Sequence, residues 1–265
     1  MTRSMIRQKP RSAGSAEMKL LRLFAAASLL AMWPGTAAAM EYRPDEDRGH
    51  RDTVAYTLML LPDGAAEALM RRDLKFADEM IEHHRGAVRM SQAYLQDARG
   101  QNSFLRRMGA AIIENQRFEI GWLEDLRRRV AGGPQTLVAV GGYRLVGVPA
   151  GVHGMEHRAR FYKTPVSSIG DLLGTEGKPV SAFDVMFAKA MIMHHAMALD
   201  MARAYDADPN GQNVVIRELN FDILRDQSVE IGMLENVIAR FPGDADAVPI
   251  DPEMHEMMGM PHSGM

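Results

Sequence analysis

The chain has 265 residues, a formal net charge of -3, no Cys, 9 His and 22 Met. Without Cys, disulfides, thiolate zinc sites, iron–sulfur clusters and thiol catalysis are excluded. Proteins that bind nucleic acids usually have an excess of basic residues, which this chain lacks, so we expect no nucleic-acid partner. A hydrophobic content of 46% and a charged content of 25% are typical of a globular protein. Methionine, in contrast, is more frequent than core filling requires.

Residues 1–39 have the pattern of a secretory signal peptide. Basic residues precede an apolar run from Leu23 to Trp33, and Ala37–Ala39 forms a small-residue cleavage site. The apolar run is too short for a membrane-spanning helix, which needs about 20 residues. Residues 1–17 fit an upstream extension before a start at Met18. We therefore expect a periplasmic or secreted protein that meets a membrane only through an uncleaved signal.

The remaining chain contains an internal repeat with a constant offset of 111 residues. Phe76 to His84 aligns with Phe187 to His195, and Gln116 to Glu124 aligns with Gln227 to Glu235, without a gap. Other equivalent pairs are Asp73 and Asp184, Ala87 and Ala198, Met90 and Met201, and Tyr94 and Tyr205. Because both copies lie in one chain, the positions that they share are the informative ones.

Each copy predicts two helices joined by a turn. The first helix of the first copy has one apolar stripe at steps of three and four, formed by Phe76, Met80, His83, Ala87 and Met90. Second helices are predicted over 104–130 and 214–241, where Gly and Pro end the pattern. Two such hairpins bury their apolar faces best by pairing. We therefore expect an all-α fold, a four-helix bundle.

The predicted organisation has six parts. The signal peptide, 1–39, precedes an N-terminal segment, 40–62, to which we assign no structure. The two helical hairpins cover 63–130 and 181–241, and a connector covers 131–180. Within the connector, Gly141-Gly142 between two short apolar runs predicts a β-hairpin. Residues 242–265 have too little apolar periodicity for packed structure and are predicted to form a flexible tail.

Candidate metal ligands lie on the shared helical stripe. A His-His pair on an apolar face is costly unless its ring nitrogens find partners. Met80 lies one turn before His84, and Met191 one turn before His195, so each helix presents a thioether and an imidazole together. Thioethers suit Cu(I), and imidazole binds Cu(I) and Cu(II). A pliable Met-rich core is the alternative. The predicted copper ligands are Met80, His83, His84, Met90, Met191, His194, His195, Met197 and Met201.

Polar residues on the second helix of each copy are candidate supporting residues. They could accept a ring N–H and orient the imidazoles, although a solvated helix surface explains them equally well. These residues are Gln116, Glu119, Gln227 and Glu230.

Further His and Met residues lie in the connector and the tail. Because the tail has no predicted core, packing does not account for its methionines, and copper binding does; accidental composition or a partner-binding tail is the alternative. The accessory candidates for copper are His153, Met155, His157, Met254, His255, Met257, Met258, Met260 and His262.

The repeated motif resembles a known family. Asp-x-x-Phe-x-x-x-Met-Ile-x-His-His-x-x-Ala-x-x-Met, followed by Gln-x-x-Glu-Ile, occurs at 73–120 and again at 184–231. It is similar to the bacterial domain-of-unknown-function family numbered 305. The resemblance implies a ferritin-like helical bundle and, from some members, an exported copper-binding or metallochaperone function. A di-iron centre is disfavoured because neither His pair has a Glu-x-x-His motif, and the second copy has Ala190 and Met193 where the first has Glu79 and Glu82.

The sequence thus predicts an exported copper-binding protein that sequesters or relays copper, as Cu(I), Cu(II) or both, and catalyses no reaction. Its expected partners are copper ions and another exported copper protein. Two alternatives remain open at this stage. One is a metal-dependent oxidoreductase on a ferritin-like bundle, and the other is a structural or partner-binding helical module without metal.

Overall fold

The computed structural model describes residues 54–152 and 179–258, which form a mostly helical protein with a small sheet. The strands are β1 (Val54–Pro62), β2 (Gln135–Val140) and β3 (Tyr143–Val152). The helices are α1 (Ala65–Gln96), α2 (Ser103–Val130), α3 (Ala182–Ala207), α4 (Val214–Ile238) and α5 (Pro252–Met257). The predicted signal peptide lies outside the described residues. Among the helices that are described, none is long and apolar enough to cross a membrane.

The two predicted helical hairpins are present, and in both the loop ends with an Asn that caps the second helix. Helix α1 packs on α2, and α3 packs on α4. The side chain of Asn102 caps α2 by accepting from the backbone N–H of Leu105, and its repeat equivalent, Asn213, accepts from the N–H groups of Val215 and Ile216. A polar N-cap satisfies donors that a helix start leaves unpaired. The equal loop lengths in the sequence therefore correspond to equal cap geometry.

Helices α1 and α3 run antiparallel and are joined by two reciprocal hydrogen bonds. The hydroxyl of Tyr94, near the end of α1, donates to Asp184 Oδ1 at the start of α3 over 2.6 Å. The hydroxyl of Tyr205, near the end of α3, donates to Asp73 Oδ1 in α1, also over 2.6 Å. The two bonds relate the repeats by an approximate twofold axis between α1 and α3.

The predicted β-hairpin is confirmed, but it belongs to a larger sheet. Gly141 and Gly142 adopt φ values of 59° and 81° in the two-residue turn between β2 and β3, which is the backbone that a tight hairpin requires. Strand β1 lies in the N-terminal segment to which no structure was assigned; it pairs antiparallel with β3 and completes the order β1-β3-β2. Val146, Val148 and Ala150 on β3 are buried in the helical core.

The expectation of a flexible tail differs from the structure over residues 242–258. This segment crosses the helices and ends in α5, where Met254 and Met258 are buried with residues of α1, α2 and α3. The physical reason is that Ala245, Val248 and Ile250 also pack on this core, although their spacing has no helical or strand period. These two tail methionines therefore do have a core to fill. Residues 259–265 lie outside the described part.

Candidate metal centre

A layer of buried polar side chains divides the helical core into two apolar clusters. On every one of the four long helices, residues toward one end join cluster 1 and residues toward the other end join cluster 2. The side chains between the clusters are polar, and all are buried. We call this set the histidine layer; its members are His83, His84, Gln116, Glu119, His194, His195, Gln227 and Glu230. The predicted imidazoles and their predicted supporting residues therefore occupy one level of the fold.

Each repeat contributes one His–Glu pair to the histidine layer, in which the imidazole and the carboxylate lie close together. His84 Nε2 lies 2.7 Å from Glu119 Oε2, and His195 Nε2 lies 2.7 Å from Glu230 Oε2. In both pairs the ring nitrogen is out of line for a hydrogen bond in spite of the short distance. The carboxylates lie on α2 and α4, one per repeat, so each hairpin holds its own pair.

The other two imidazoles meet at the twofold axis, where the symmetry is broken. The His83 and His194 rings lie with their centroids 3.7 Å apart and their planes tilted by 36°. His194 Nε2 is 2.8 Å from the backbone oxygen of His83. His83 makes a weaker form of this contact: the backbone of His194 lies close enough to offset part of the lowering of the His83 pKa, but neither ring nitrogen of His83 reaches hydrogen-bond geometry with a described residue. Both ring nitrogens of His83 are thus without a well-formed hydrogen bond in the described part of the chain.

Unpaired ring nitrogens are the shared property of the histidine layer. The Nδ1 atoms of all four histidines are buried without a hydrogen-bond partner in the described part of the chain, and so are Gln116 Oε1 and Gln227 Oε1. A buried polar atom without a partner costs about 1–3 kcal/mol. Most of the buried side-chain atoms without a partner in the described part of the chain lie at this level, which makes the histidine layer the candidate site.

Burial keeps the two central imidazoles neutral. Desolvation, together with the neighbouring His84 and His195, lowers the pKa of His83 from 6.5 to about 3. Desolvation and the adjacent imidazoles also hold the pKa of His194 well below 6.5. Because a metal ion binds the unprotonated ring, these two imidazoles are in the metal-competent form across the neutral pH range.

The predicted thioether ligands lie in the clusters on either side of the histidine layer. Met80 of the first repeat and Met201 of the second belong to cluster 1. Their repeat equivalents, Met191 and Met90, belong to cluster 2. Of these four predicted ligands, each cluster therefore has one from each repeat. Met197 is half-buried on α3.

The accessory candidates are divided between several environments. Met254 and Met258 are buried in cluster 2, Met257 is half-buried against it, and His255 is exposed on α5. The others lie outside the described residues; they are His153, Met155, His157, Met260 and His262.

A ready-made site of charged and imidazole ligands is not present in the part of the chain described. Across residues 54–152 and 179–258, no three His, Asp or Glu side chains are grouped as a metal ion requires. The predicted imidazoles come together in pairs: His84 with Glu119, His195 with Glu230, and His83 with His194. If one of these pairs binds a metal ion, a third ligand from the described residues would be a thioether or would require a change of side-chain conformation.

An Asp and a Tyr recur at equivalent positions of both repeats, and the structure shows a role for them that the sequence does not indicate. Asp73 accepts from the Tyr205 hydroxyl and from Asn213 Nδ2, the latter over 2.9 Å, and burial nevertheless raises its pKa from 3.8 to about 6. Burial and the facing carboxylate raise the pKa of the Tyr94 and Tyr205 hydroxyls. The signal that pointed to them was recurrence at both copies of the repeat. They hold α1 against α3 and thereby set the spacing of the central imidazoles.

Fold and site together define a helical protein of two repeated hairpins with a buried His–Glu layer between two apolar clusters. The sequence profile of the family described as Domain of unknown function (DUF305) matches residues 73–238 and 184–265. The chain belongs to this family. The two matches start at Asp73 and Asp184, which are equivalent positions of the internal repeat. No curated protein and no solved structure matches the chain significantly.

Proposed function

We propose that this protein binds copper in the histidine layer and sequesters or relays it without catalysing a reaction. The observation that carries the proposal is the set of four buried Nδ1 atoms that have no partner among the described residues. A copper ion would take up lone pairs that otherwise cost free energy in the folded state.

The donor set favours copper over other metals. The two central imidazoles are neutral, the adjoining clusters supply thioethers, and the whole chain has no Cys thiolate. Neutral imidazole and thioether donors suit the soft ion Cu(I), whereas zinc sites use thiolate, imidazole or carboxylate in groups of three or four. His83, His84, His194 and His195 are the proposed nitrogen ligands. Met80, Met90, Met191, Met197 and Met201 are the proposed sulfur donors.

The short His–Glu distances fit an orienting role for the carboxylates. If His84 donates its Nε2 proton to Glu119, the lone pair of its Nδ1 is left for the metal, and His195 with Glu230 is equivalent. A small rotation of the ring or carboxylate suffices, because the atoms are already 2.7 Å apart. We propose that copper binding provides this alignment.

We also propose that the two hairpins form a ferritin-like four-helix bundle. What supports this arrangement is that α1, α2, α3 and α4 all contribute side chains to both cluster 1 and cluster 2. A bundle places inward side chains from all four helices around a common interior, which is where such folds hold metal ions.

Export and a copper-protein partner complete the proposal. The signal-like pattern of residues 1–39 supports a periplasmic or secreted location. In an oxidising compartment a Cys-free thioether site is not lost to disulfide formation. Exposed His255 on α5 is positioned to contact a donor or acceptor protein.

The proposal is tested by titrating the metal-free protein with Cu(I) against a competing chelator. We expect stoichiometric binding and a rise in the thermal midpoint, since a ligand that binds only the folded state stabilises it. The double variant His83→Asn, His194→Asn should lose at least about tenfold in affinity, which is about 1.4 kcal/mol. The matched control is His255→Asn, because this exposed imidazole lies outside the histidine layer.

Three results would contradict the proposal. Unchanged affinity in the double variant, with the native circular dichroism retained, would exclude the histidine layer as the site. Binding of iron(II) in place of Cu(I), with oxygen consumption, would favour the oxidoreductase. An unchanged thermal midpoint with every metal tried would favour a helical module without metal.

A further inference from the structure

Residues 242–258 form a strap that joins the two repeats across the histidine layer; we call them the C-terminal strap. The root of the strap is held by Lys189 on α3, whose Nζ donates to the backbone oxygens of Ala245 over 3.0 Å and Val248 over 2.8 Å. The tip lies on α1, where Arg89 donates to Met257 O over a longer distance of 3.3 Å. The strap is thus firmly held at one end and weakly at the other.

Gly86 on α1 receives the tip of the C-terminal strap. A Cβ atom at this position would lie 2.7 Å from Met257 O and 2.9 Å from His194 Nε2. Both distances are shorter than real Cβ contacts, so any other residue would displace the strap or the imidazole. The repeat equivalent of Gly86 is Met197, which has a side chain of its own. The first repeat therefore leaves a gap beside the histidine layer, and the strap fills it with a backbone carbonyl.

The two central imidazoles differ in exposure, and the tip of the strap lies near the more buried one. His194, on the strap side, is 0% exposed, whereas its partner His83 keeps 7% of its surface. The strap covers this side by burying Met254 and Met258 in cluster 2. Thioether chains are flexible and tolerate repacking, so this attachment is adaptable.

We infer that the C-terminal strap is a displaceable cover that opens at Gly86 and closes the route to His194. Helix α5 has six residues, which is too short to be stable apart from the surface on which it lies. Opening requires the loss of the exposed Arg89 hydrogen bond and the two methionine contacts, while the Lys189 contacts keep the root in place. The consequence for copper rests on the proposed function: displacement of the strap admits or releases the ion on this side.

The test compares two helical glycines in the full-length, metal-free protein. Gly86→Ala should push the tip away, whereas the control Gly121→Ala, on α2, adds a methyl group in open space. Access is measured with diethyl pyrocarbonate, which acylates accessible neutral imidazole, and each histidine is resolved by peptide mass spectrometry. We expect His194 to react about tenfold faster in Gly86→Ala, because a local opening becomes populated. His83 should change little, and Gly121→Ala should match the parent protein.

A second variant releases the strap from its other contact. Met254→Ser with Met258→Ser should raise the His194 rate in the same way, and the addition of Gly86→Ala should then have no further effect. General unfolding is distinguished because it would expose His84 and His195 as well. Parental His194 rates in both Gly86→Ala and the double serine variant would overturn the inference.

The copper measurement separates this inference from the proposed function. Release of bound Cu(I) to a chelator should be faster in the double serine variant than in Gly121→Ala, with little change in equilibrium affinity, because opening of a cover speeds entry and release of the ion together and, unlike Gly86→Ala, the serine substitutions place no atom against His194. If the parent protein binds no Cu(I), the proposed function fails, and the acylation rates still decide whether the strap opens. Equal Cu(I) release rates in both variants, with faster acylation of His194, would overturn the role of the strap in copper exchange.

Discussion

The two repeats have the same four polar positions in the histidine layer and differ in what surrounds them. Around the first His pair lie Glu82, Arg85 and Gly86, and the equivalent residues around the second are Met193, Ala196 and Met197. The first repeat thus has a charged rim and a gap that the C-terminal strap fills, while the second has apolar side chains and thioethers. Shared positions build the layer, and the divergent positions give its two sides different surroundings.

The difference continues in the Asp–Tyr pairs that hold the repeats together. Asp184 lies in the first turn of α3, where it also accepts from the backbone N–H and hydroxyl of Ser181. Asp73 lies within α1, eight residues after the helix begins at Ala65, and its raised pKa records the cost of burial there. One carboxylate is thus stabilised by a helix N-terminus, and the other depends on Tyr205 and Asn213. The two equivalent carboxylates therefore differ in their hydrogen-bond partners: Asp184 also accepts from Ser181, whereas Asp73 accepts from Tyr205 and Asn213.

The largest effect that we expect is an acid sensitivity due to the central imidazoles. The pKa of His83 is about 3 in the folded protein and 6.5 in an unfolded chain, so between these values only the unfolded chain binds the proton. His83 therefore contributes stability that is fully present above pH 6.5 and is lost as the pH falls toward 3, by about 5 kcal/mol in total. The measurement is urea unfolding of the metal-free protein at pH 7.5, 5.5 and 4. His83→Asn should show a shallower decline; a slope equal to that of the parent would contradict this.

Asp73 should act in the opposite direction in the same experiment. Its folded pKa, about 6, is above its unfolded value of 3.8, so in this interval the folded protein holds a proton that the unfolded chain has lost. Its contribution is present below pH 3.8 and is lost as the pH rises through 6, which amounts to about 3 kcal/mol. Asp73→Asn removes this offset, so its unfolding free energy should decline more steeply than that of the parent between pH 6 and 4.

Loss of a tyrosine hydroxyl should distinguish the two Asp–Tyr pairs. Tyr205→Phe removes a donor from the buried Asp73 and an acceptor from the Asn213 N–H, so a loss of about 2–3 kcal/mol is expected at pH 7.5. Tyr94→Phe leaves Asp184 with its Ser181 contacts and should cost about 1–2 kcal/mol. The free energies of unfolding from urea titrations give the comparison directly. Equal losses in the two variants would show that the helix N-terminus does not compensate for Tyr94.

A single apolar substitution separates packing from copper ligation. Met80 and Met191 are both fully buried, one in each cluster. Met→Leu keeps the volume and should change the free energy of unfolding by less than about 1.5 kcal/mol. If the thioethers bind Cu(I), the affinity should nevertheless fall by at least about tenfold in either variant. An unchanged affinity in both would restrict the ligands to the imidazoles and leave these methionines as core residues.

Much of the histidine layer could be predicted from the repeat, because helical periodicity and recurrence select the same residues. The apolar stripe places His83 on an inward face, and recurrence in both copies also selects His84, Gln116 and Glu119, although the pattern alone leaves a solvated helix surface open for Gln116 and Glu119. Strand β1 was not predictable in the same way, since its partner β3 is about 90 residues away and no local pattern encodes such pairing. The C-terminal strap was missed for a related reason, since its buried methionines have a core only after the helices assemble.

The smallest expected effect concerns the charged rim of the first repeat. Arg85 pairs with Glu82 and with Glu124, but these side chains are largely exposed, and exposed ion pairs contribute at most about 1 kcal/mol. Glu82→Met with Arg85→Ala gives the first repeat the residues of the second. We expect the free energy of unfolding to change by less than about 1 kcal/mol, with the Cu(I) affinity unchanged, measured by urea and chelator titrations. A larger loss of affinity would mean that the rim, rather than the buried layer alone, takes part in holding the ion.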